Sequence, residues 1–187
     1  MEIITSGAGN IGKIVDNFSP DAVITLIPKT QNTKRYFRTL EIRKKELNFL
    51  HHICEIHDVC AESQDYITPQ KNHIKNIINF VKNNNLVNSD KKVLVHCYAG
   101  ISRSTAVALS LYCLEGDDAL TSFKKVSNEN PMLSPNLLII ELFEDEIGDK
   151  GLYNLVSHFK SFIPQSLNLK NQVDEFLKEL DNLQINA

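Results

Sequence analysis

Compact apolar runs alternate along this chain with stretches whose apolar residues recur at helical spacing. Asp21-Ala22-Val23-Ile24-Thr25-Leu26-Ile27 is short, β-branched and closed by Pro28, which predicts a buried strand. Lys92-Val93-Leu94-Val95-His96 has the same character, and residues 53–59 are a further strand candidate running into a loop. Ile74, Ile77, Ile78 and Val81 share one helical face behind Pro69, a residue suited to a first helical turn, so the pattern predicts a helix over 69–83. Residues 103–114 are apolar on most sides and predict a buried helix, with another over 119–126. Ser134-Pro135 reads as an N-cap followed by proline at the first position of a helix that ends near Ile147. Val173, Phe176, Leu177, Leu180 and Leu183 form the stripe of a C-terminal amphipathic helix.

Strands alternating with helices predict an α/β fold, a central mostly parallel sheet flanked by helices. No repeat, low-complexity linker or break divides the chain. Residues 1–187 are therefore expected to form a single domain, with 165–187 a helical extension at its end.

Composition narrows the function classes. At 187 residues and 42% hydrophobic content the chain is long enough to bury a substantial core. A formal net charge of −3 provides no global basic field, so nucleic acid is not an expected partner. No apolar run approaches the roughly 18 residues of a membrane span. The first residues lack the basic-then-apolar order of a signal peptide. Four cysteines, at 54, 60, 97 and 113, are few for a disulfide scaffold and fit a reducing compartment. A cytoplasmic location is the expectation, with secretion into a host left open, and the oligomeric state is not legible.

The chemistry concentrates in His96-Cys97-Tyr98-Ala99-Gly100-Ile101-Ser102-Arg103-Ser104, between a predicted buried strand and a predicted buried helix. That junction is an anion site by construction. The first N–H groups of a helix lack intrahelical partners, the helix dipole favours negative charge there, and successive loop amides add a concave nest. Gly100 allows a conformation or close approach that a β-carbon hinders. Arg103 offers a planar fork for two phosphoryl oxygens. The positive field at the mouth of the loop favours the thiolate of Cys97, and Ser104 is placed to hydrogen-bond that sulfur.

This stretch resembles the signature His-Cys-x5-Arg-Ser/Thr of the cysteine-dependent protein tyrosine and dual-specificity phosphatases, and matches it at every fixed position. The order of features, with Asp21 to Pro28 as an early strand and Pro131 through Gly151 as a closing helix, resembles a compact bacterial tyrosine phosphatase-like group over about residues 20–160. The resemblance implies a phosphatase-type fold and two-step hydrolysis without a metal or other cofactor. Cys97 attacks phosphorus, Tyr98, Ala99, Gly100, Ile101, Ser102 and Arg103 cradle the phosphoryl group, and His96 and Ser104 support the loop. Phosphotyrosine in proteins, with phosphoserine and phosphothreonine as further substrates, is the first expectation. Phosphoinositides, inositol phosphates and RNA 5′-phosphates are alternatives on the same scaffold, and a non-catalytic phosphate-binding module is a third reading. The uncharged side chains at positions 98, 99, 101 and 102 weigh toward a protein substrate.

The leaving oxygen needs a proton, so a carboxyl group should overhang the loop. Asp58, behind Ile56-His57, is the first choice; Asp65, at a spacing nearer that of the small dual-specificity enzymes, is the alternative, and Glu62 stands behind both.

Three other features carry less. Gly7-Ala8-Gly9-Asn10-Ile11-Gly12 spells a dinucleotide fingerprint, but no acid ends the next strand, and a flexible glycine-rich connection is the expectation. His51, His52, Cys54, His57 and Cys60 have ligand-like chemistry, but strand alternation separates them, and ordinary packing is the reading over metal. Cys54 or Cys60 is a candidate partner for a protective disulfide with Cys97. Lys34, Arg35, Arg38, Arg43, Lys44 and Lys45 make a basic stretch, either a solvated face or a docking surface for an acidic or multiply phosphorylated substrate.

Overall fold

The computed structural model describes residues 1–162 and 168–185. Four strands, β1 (Glu2–Gly7), β2 (Ala22–Thr25), β3 (Leu50–Ile53) and β4 (Lys92–Cys97), form one sheet in the order β1-β4-β2-β3. All three pairings are parallel, with Cys97 opposite Gly7 and His96 opposite Thr25. Parallel pairing demands crossovers, and helices supply them. These are α1 (Ile11–Phe18), α2 (Lys34–Leu47) and α3 (Lys71–Asn83); α4 (Arg103–Glu115), α5 (Ala119–Glu129), α6 (Leu137–Ile147), α7 (Leu152–Phe162) and α8 (Leu169–Ile185) follow the last strand.

The apolar runs are explained by burial on both faces of the sheet. Val23 and Leu94 point to one side, where they meet Ile11 and Val15 of α1 and Leu40 of α2. Ala22, Ile24, Val93 and Val95 point to the other, into the larger core built on α3 to α8. Helix α4 runs through that core with every residue from Arg103 to Cys113 buried, which accounts for its lack of a polar face. Phe176 of α8 closes the far end, its ring centroid 5.5 Å from that of Phe123 and 5.2 Å from that of Phe159. Part of the expected extension, residues 163–167 and 186–187, lies outside the described residues.

The structure corrects several boundaries. The strand expected over 53–59 is instead β3, ending at Ile53. Beyond it the chain bends, with Ile56 N–H donating to Cys54 O at 3.1 Å and His57 N–H turning to Ile67 O at 2.8 Å. The polar His51 and His52 sit within the edge strand on distant partners: His51 bonds Thr25, and His52 stacks on Phe80 of α3 at 5.1 Å. The helix expected from Ser134-Pro135 begins at Leu137. Ser134 N–H is drawn to Ile101 O, and Asn136, not Ser134, is the cap, its side chain accepting from Ile139 N–H at 3.1 Å. The glycine-rich segment after β1 is a 3-10 turn (Ala8–Asn10) leading directly into α1.

Candidate active site

Strand β4 delivers Cys97, 1% exposed, to the carboxyl end of the sheet, and α4 begins six residues later at Arg103. In open α/β sheets this end of the strands is where ligands bind. Each carbonyl of the intervening loop except that of Ala99 has a partner outside it. Tyr98 O accepts from Ala8 N–H at 3.0 Å, and Gly100 O accepts from Asn130 Nδ2 at 2.7 Å. Ile101 O accepts from Ser134 N–H at 2.9 Å, and Ser102 O from Ala106 N–H at 3.0 Å and Asn136 N–H at 3.3 Å. In a trans peptide the following N–H points opposite to the carbonyl. The amides of residues 99 and 101–103 therefore turn inward, and Gly100 N–H reaches the Cys97 sulfur at 3.2 Å. Ser104 Oγ lies 3.3 Å from the same sulfur. The result is a ring of donors around Sγ, set on a helix N-terminus.

Gly100 is required twice over. Its φ of 81° lies in the left-handed region, and a β-carbon there would fall 2.6 Å from Ser6 C and closer still to Gly7 N. Gly7 is its counterpart, where a β-carbon would meet Ala99 O at 2.8 Å. The glycine-rich turn thus forms the floor of the loop. Asn130 ties the two together, donating also to Thr5 Oγ1 of β1 at 2.8 Å.

Arg103 is 6% exposed. Its Nη1 donates to Leu26 O and Ile56 O, both at 2.8 Å, beyond the ends of β2 and β3. Its Nε is buried without a hydrogen-bond partner, 4.0 Å from Asp58 Oδ2. One side of the guanidinium is anchored and the other is left for an anion. Asp58 Oδ1 accepts from Ser102 Oγ at 2.7 Å and from Asn136 Nδ2 at 2.9 Å, which fixes this carboxylate at the rim of the loop. Asp65 is exposed on the following loop, its own backbone N–H bonded to Ser63 Oγ, and among the described residues its side chain makes no hydrogen bond or ion pair to the loop of residues 97–103.

Behind Cys97, fully buried His96 meets Thr25 Oγ1 through Nε2 at 2.7 Å, and His51 Nε2 meets the same hydroxyl at 2.8 Å. Burial pushes His96 down to about 3 and His51 down to about 4, so both rings are neutral at physiological pH. Tyr98, 56% exposed, and Ala99 stand at the rim, with Ile101 and Ser102 half-buried. Cys54 does not adjoin Cys97. It lies two strands away, its N–H bonded to Thr25 O, and two strand spacings of about 4.8 Å exceed the roughly 7 Å Cα separation a disulfide spans. Burial also pushes the Cys54 thiol up to about 12.

Asn136, Asn130, Thr25 and Gly7 are site residues that sequence reading did not single out. Only Asn136 had a local signal, an Asn three residues ahead of the first buried helical position.

Comparison with known proteins agrees with this geometry. Residues 10–146 match the family model of the dual specificity phosphatase catalytic domain. A putative tyrosine-protein phosphatase of Amsacta moorei entomopoxvirus is 32% identical over 56 residues, a match covering 30% of this chain and 34% of that protein, so about a third of the relative's length is spanned. The fold is that of Cydia pomonella PTP-2 phosphatase, with TM-score 0.53 and 19% identity, over 78% of this chain and 85% of that one. It is also that of human DUSP28, with TM-score 0.53 and 14% identity, over 76% and 89%. From the loop around Cys97, the parallel sheet beneath it and the match over most of its length, this chain belongs to the dual specificity phosphatase catalytic-domain family, within the cysteine-dependent tyrosine and dual-specificity phosphatases, a group of hydrolases.

Proposed function

We propose that this protein hydrolyses phosphomonoesters in proteins, phosphotyrosine first and phosphoserine and phosphothreonine as further substrates, through a cysteinyl-phosphate on Cys97. The observation that carries this reading is the sulfur ringed by inward amides beside the Nε of Arg103, which makes no hydrogen bond. Three phosphoryl oxygens take those donors as the Cys97 thiolate attacks phosphorus opposite the ester oxygen. The S–P bond forms as the P–O bond breaks, and Asp58 gives its proton to the departing oxygen. Because Oδ1 already accepts two hydrogen bonds, Oδ2 is the oxygen left to pass a proton to the leaving group. In the second step Asp58 takes a proton from water, which attacks phosphorus and releases phosphate, and Ser104 stabilises the departing thiolate.

The chain is read as one catalytic domain, with α8 (Leu169–Ile185) as the described part of the extension expected over 165–187. Among the described residues no helix is long and apolar enough to cross a membrane, and a cytoplasmic site of action is proposed with it. The test is turnover of phosphotyrosine and phosphothreonine peptides, phosphoinositides and RNA 5′-phosphates, with Cys97→Ser as control. Highest kcat/KM on phosphotyrosine peptides, abolished in Cys97→Ser, is expected. Higher turnover of a lipid or RNA substrate would replace the substrate assignment, and no turnover of any would end the enzymatic one.

A further inference from the structure

A groove of ≈ 840 Å³ runs along the first half of α2, lined by Lys29, Lys34, Phe37, Arg38 and Glu41 among others. Phe37 forms its buried floor, and Lys29 Nζ lies 5.5 Å over that ring. The basic residues of α2 are not equivalent. Arg43 is neutralised by Asp16 at 2.7 Å and Glu46 at 2.9 Å. Lys29, Lys34 and Arg38 are exposed, and among the described residues none of the three side chains has an ion-pair partner. Three cations against the single lining carboxylate of Glu41 thus leave an excess of positive charge at one end of the helix, in a chain whose formal net charge is −3.

That end adjoins the candidate active site. Lys29 is three residues beyond Leu26, whose carbonyl holds Arg103, and three residues reach at most about 10 Å. Its N–H is bonded to Glu55, next to Ile56, the other anchor of Arg103. The ring of Tyr36 on α2 meets that of Tyr98 in the loop edge-on at 6.2 Å. The groove is concave with an apolar floor and cationic walls, a shape that fits an extended chain and not the plane of a bilayer.

On the reading that the loop dephosphorylates proteins, we propose that this groove docks an acidic segment of the phosphoprotein substrate. An extended chain covers roughly 10–15 Å in three to five residues, so its carboxylates are expected at about that spacing from the phosphorylated side chain. Lys34 and Arg38 supply the attraction, and Phe37 takes the aliphatic parts of the segment.

The experiment compares a phosphotyrosine peptide carrying Asp and Glu at those positions, its counterpart with Gln there, and p-nitrophenyl phosphate, on native protein and K34E/R38E. The double variant should lose about tenfold in kcat/KM on the acidic peptide and stay within about twofold on the other two, as reversal of two exposed charges implies. Raised salt should erase the native preference for the acidic peptide. No native preference, or an equal loss on all three substrates, would overturn the proposal. If the native protein turns over nothing, the enzymatic reading fails separately. Docking is then read from fluorescence anisotropy of the same peptides on Cys97→Ser protein with and without K34E/R38E, where equal binding overturns it and weaker acidic-peptide binding by the charge-reversed form supports it. Loss of co-sedimentation with anionic phospholipid vesicles, with peptide kinetics unchanged, would overturn it in favour of a membrane.

Discussion

Asn136 joins the fold to the chemistry, and its replacement by alanine separates the two. The side chain is 1% exposed and does three things: it caps α6 through Ile139 N–H, donates to Val59 O at 3.2 Å and donates to Asp58 Oδ1 at 2.9 Å. Loss of the cap costs about 1 kcal/mol, and two lost hydrogen bonds in a buried setting add a similar amount or somewhat more, for a total of about 2–3 kcal/mol. For a chain of this size that lowers Tm by roughly 5–10 °C. The activity effect is distinct. Asp58 keeps its bond from Ser102, so the carboxyl loses one of two restraints and stays near the rim. A single hydrogen bond to a charged group accounts for about tenfold in rate when it matters only in the transition state. The penalty should fall on esters whose leaving group needs the proton. Phenyl phosphate and phosphotyrosine peptides should lose about tenfold more in kcat than p-nitrophenyl phosphate does. Thermal melting and paired steady-state kinetics below the lowered Tm read both effects. Equal losses on good and poor leaving groups would show that Asn136 is a cap alone, and an unchanged Tm would refute the capping argument.

Other outcomes follow from the same geometry. Asp58→Asn should lower kcat on poor leaving groups by about 10²-fold or more while leaving phosphate binding intact, and Asp65→Asn should have little effect; the reverse pattern would move the acid to Asp65. Gly100→Ala should weaken inhibition by inorganic phosphate by about tenfold or more, since the new β-carbon strikes the backbone of Ser6 and Gly7 and the left-handed conformation costs about 1–2 kcal/mol; native phosphate affinity would show that the loop does not depend on that approach. His51 is held neutral in the fold with its pKa depressed to about 4, so the unfolded chain binds its proton more readily. Its contribution is present above about 6.5 and is lost as pH falls toward 4, with a slope of up to about 1.4 kcal/mol per pH unit. Urea titrations should show this decline flattened in His51→Gln, and an unchanged pH profile would mean that the ring ionises freely.

What the chain discloses depends on whether the cause is local. Strands β2 and β4 and helix α4 were legible because burial on all sides leaves an uninterrupted apolar signature. The loop of residues 97–103 stood out in the sequence because its parts are consecutive. Strand β3 was misplaced because His51 and His52 look polar until Thr25 and Phe80, far away in sequence, provide their partners. Helix α1 was hidden behind glycines, and the need for Gly7 arises only from its contact with Ala99 across the β1–β4 pair. In the sequence Asp58 is marked by its place behind Ile56-His57 and Asp65 by its spacing, whereas the contacts that hold Asp58 come from Ser102 and Asn136, 44 and 78 positions away. The opening of α6 was set too early for a related reason, since the backbone of Ser134 is claimed by the loop and not by the helix.

The anchoring of Arg103 to the carbonyls of Leu26 and Ile56 has a consequence for how the protein is made. No subset of the chain short of Asn136 contains all the groups that close the anion site, because β1, β2, the bend after β3, β4 and the start of α6 each supply one. During synthesis the loop precedes its last supports, so a nascent chain ending near Glu129 carries the signature but lacks Asn130, Ser134 and Asn136, which hold three of the loop's carbonyls. Inorganic phosphate or vanadate should therefore act as a ligand of the completed fold, raising the stability of the whole molecule with the logarithm of its concentration once that exceeds Kd.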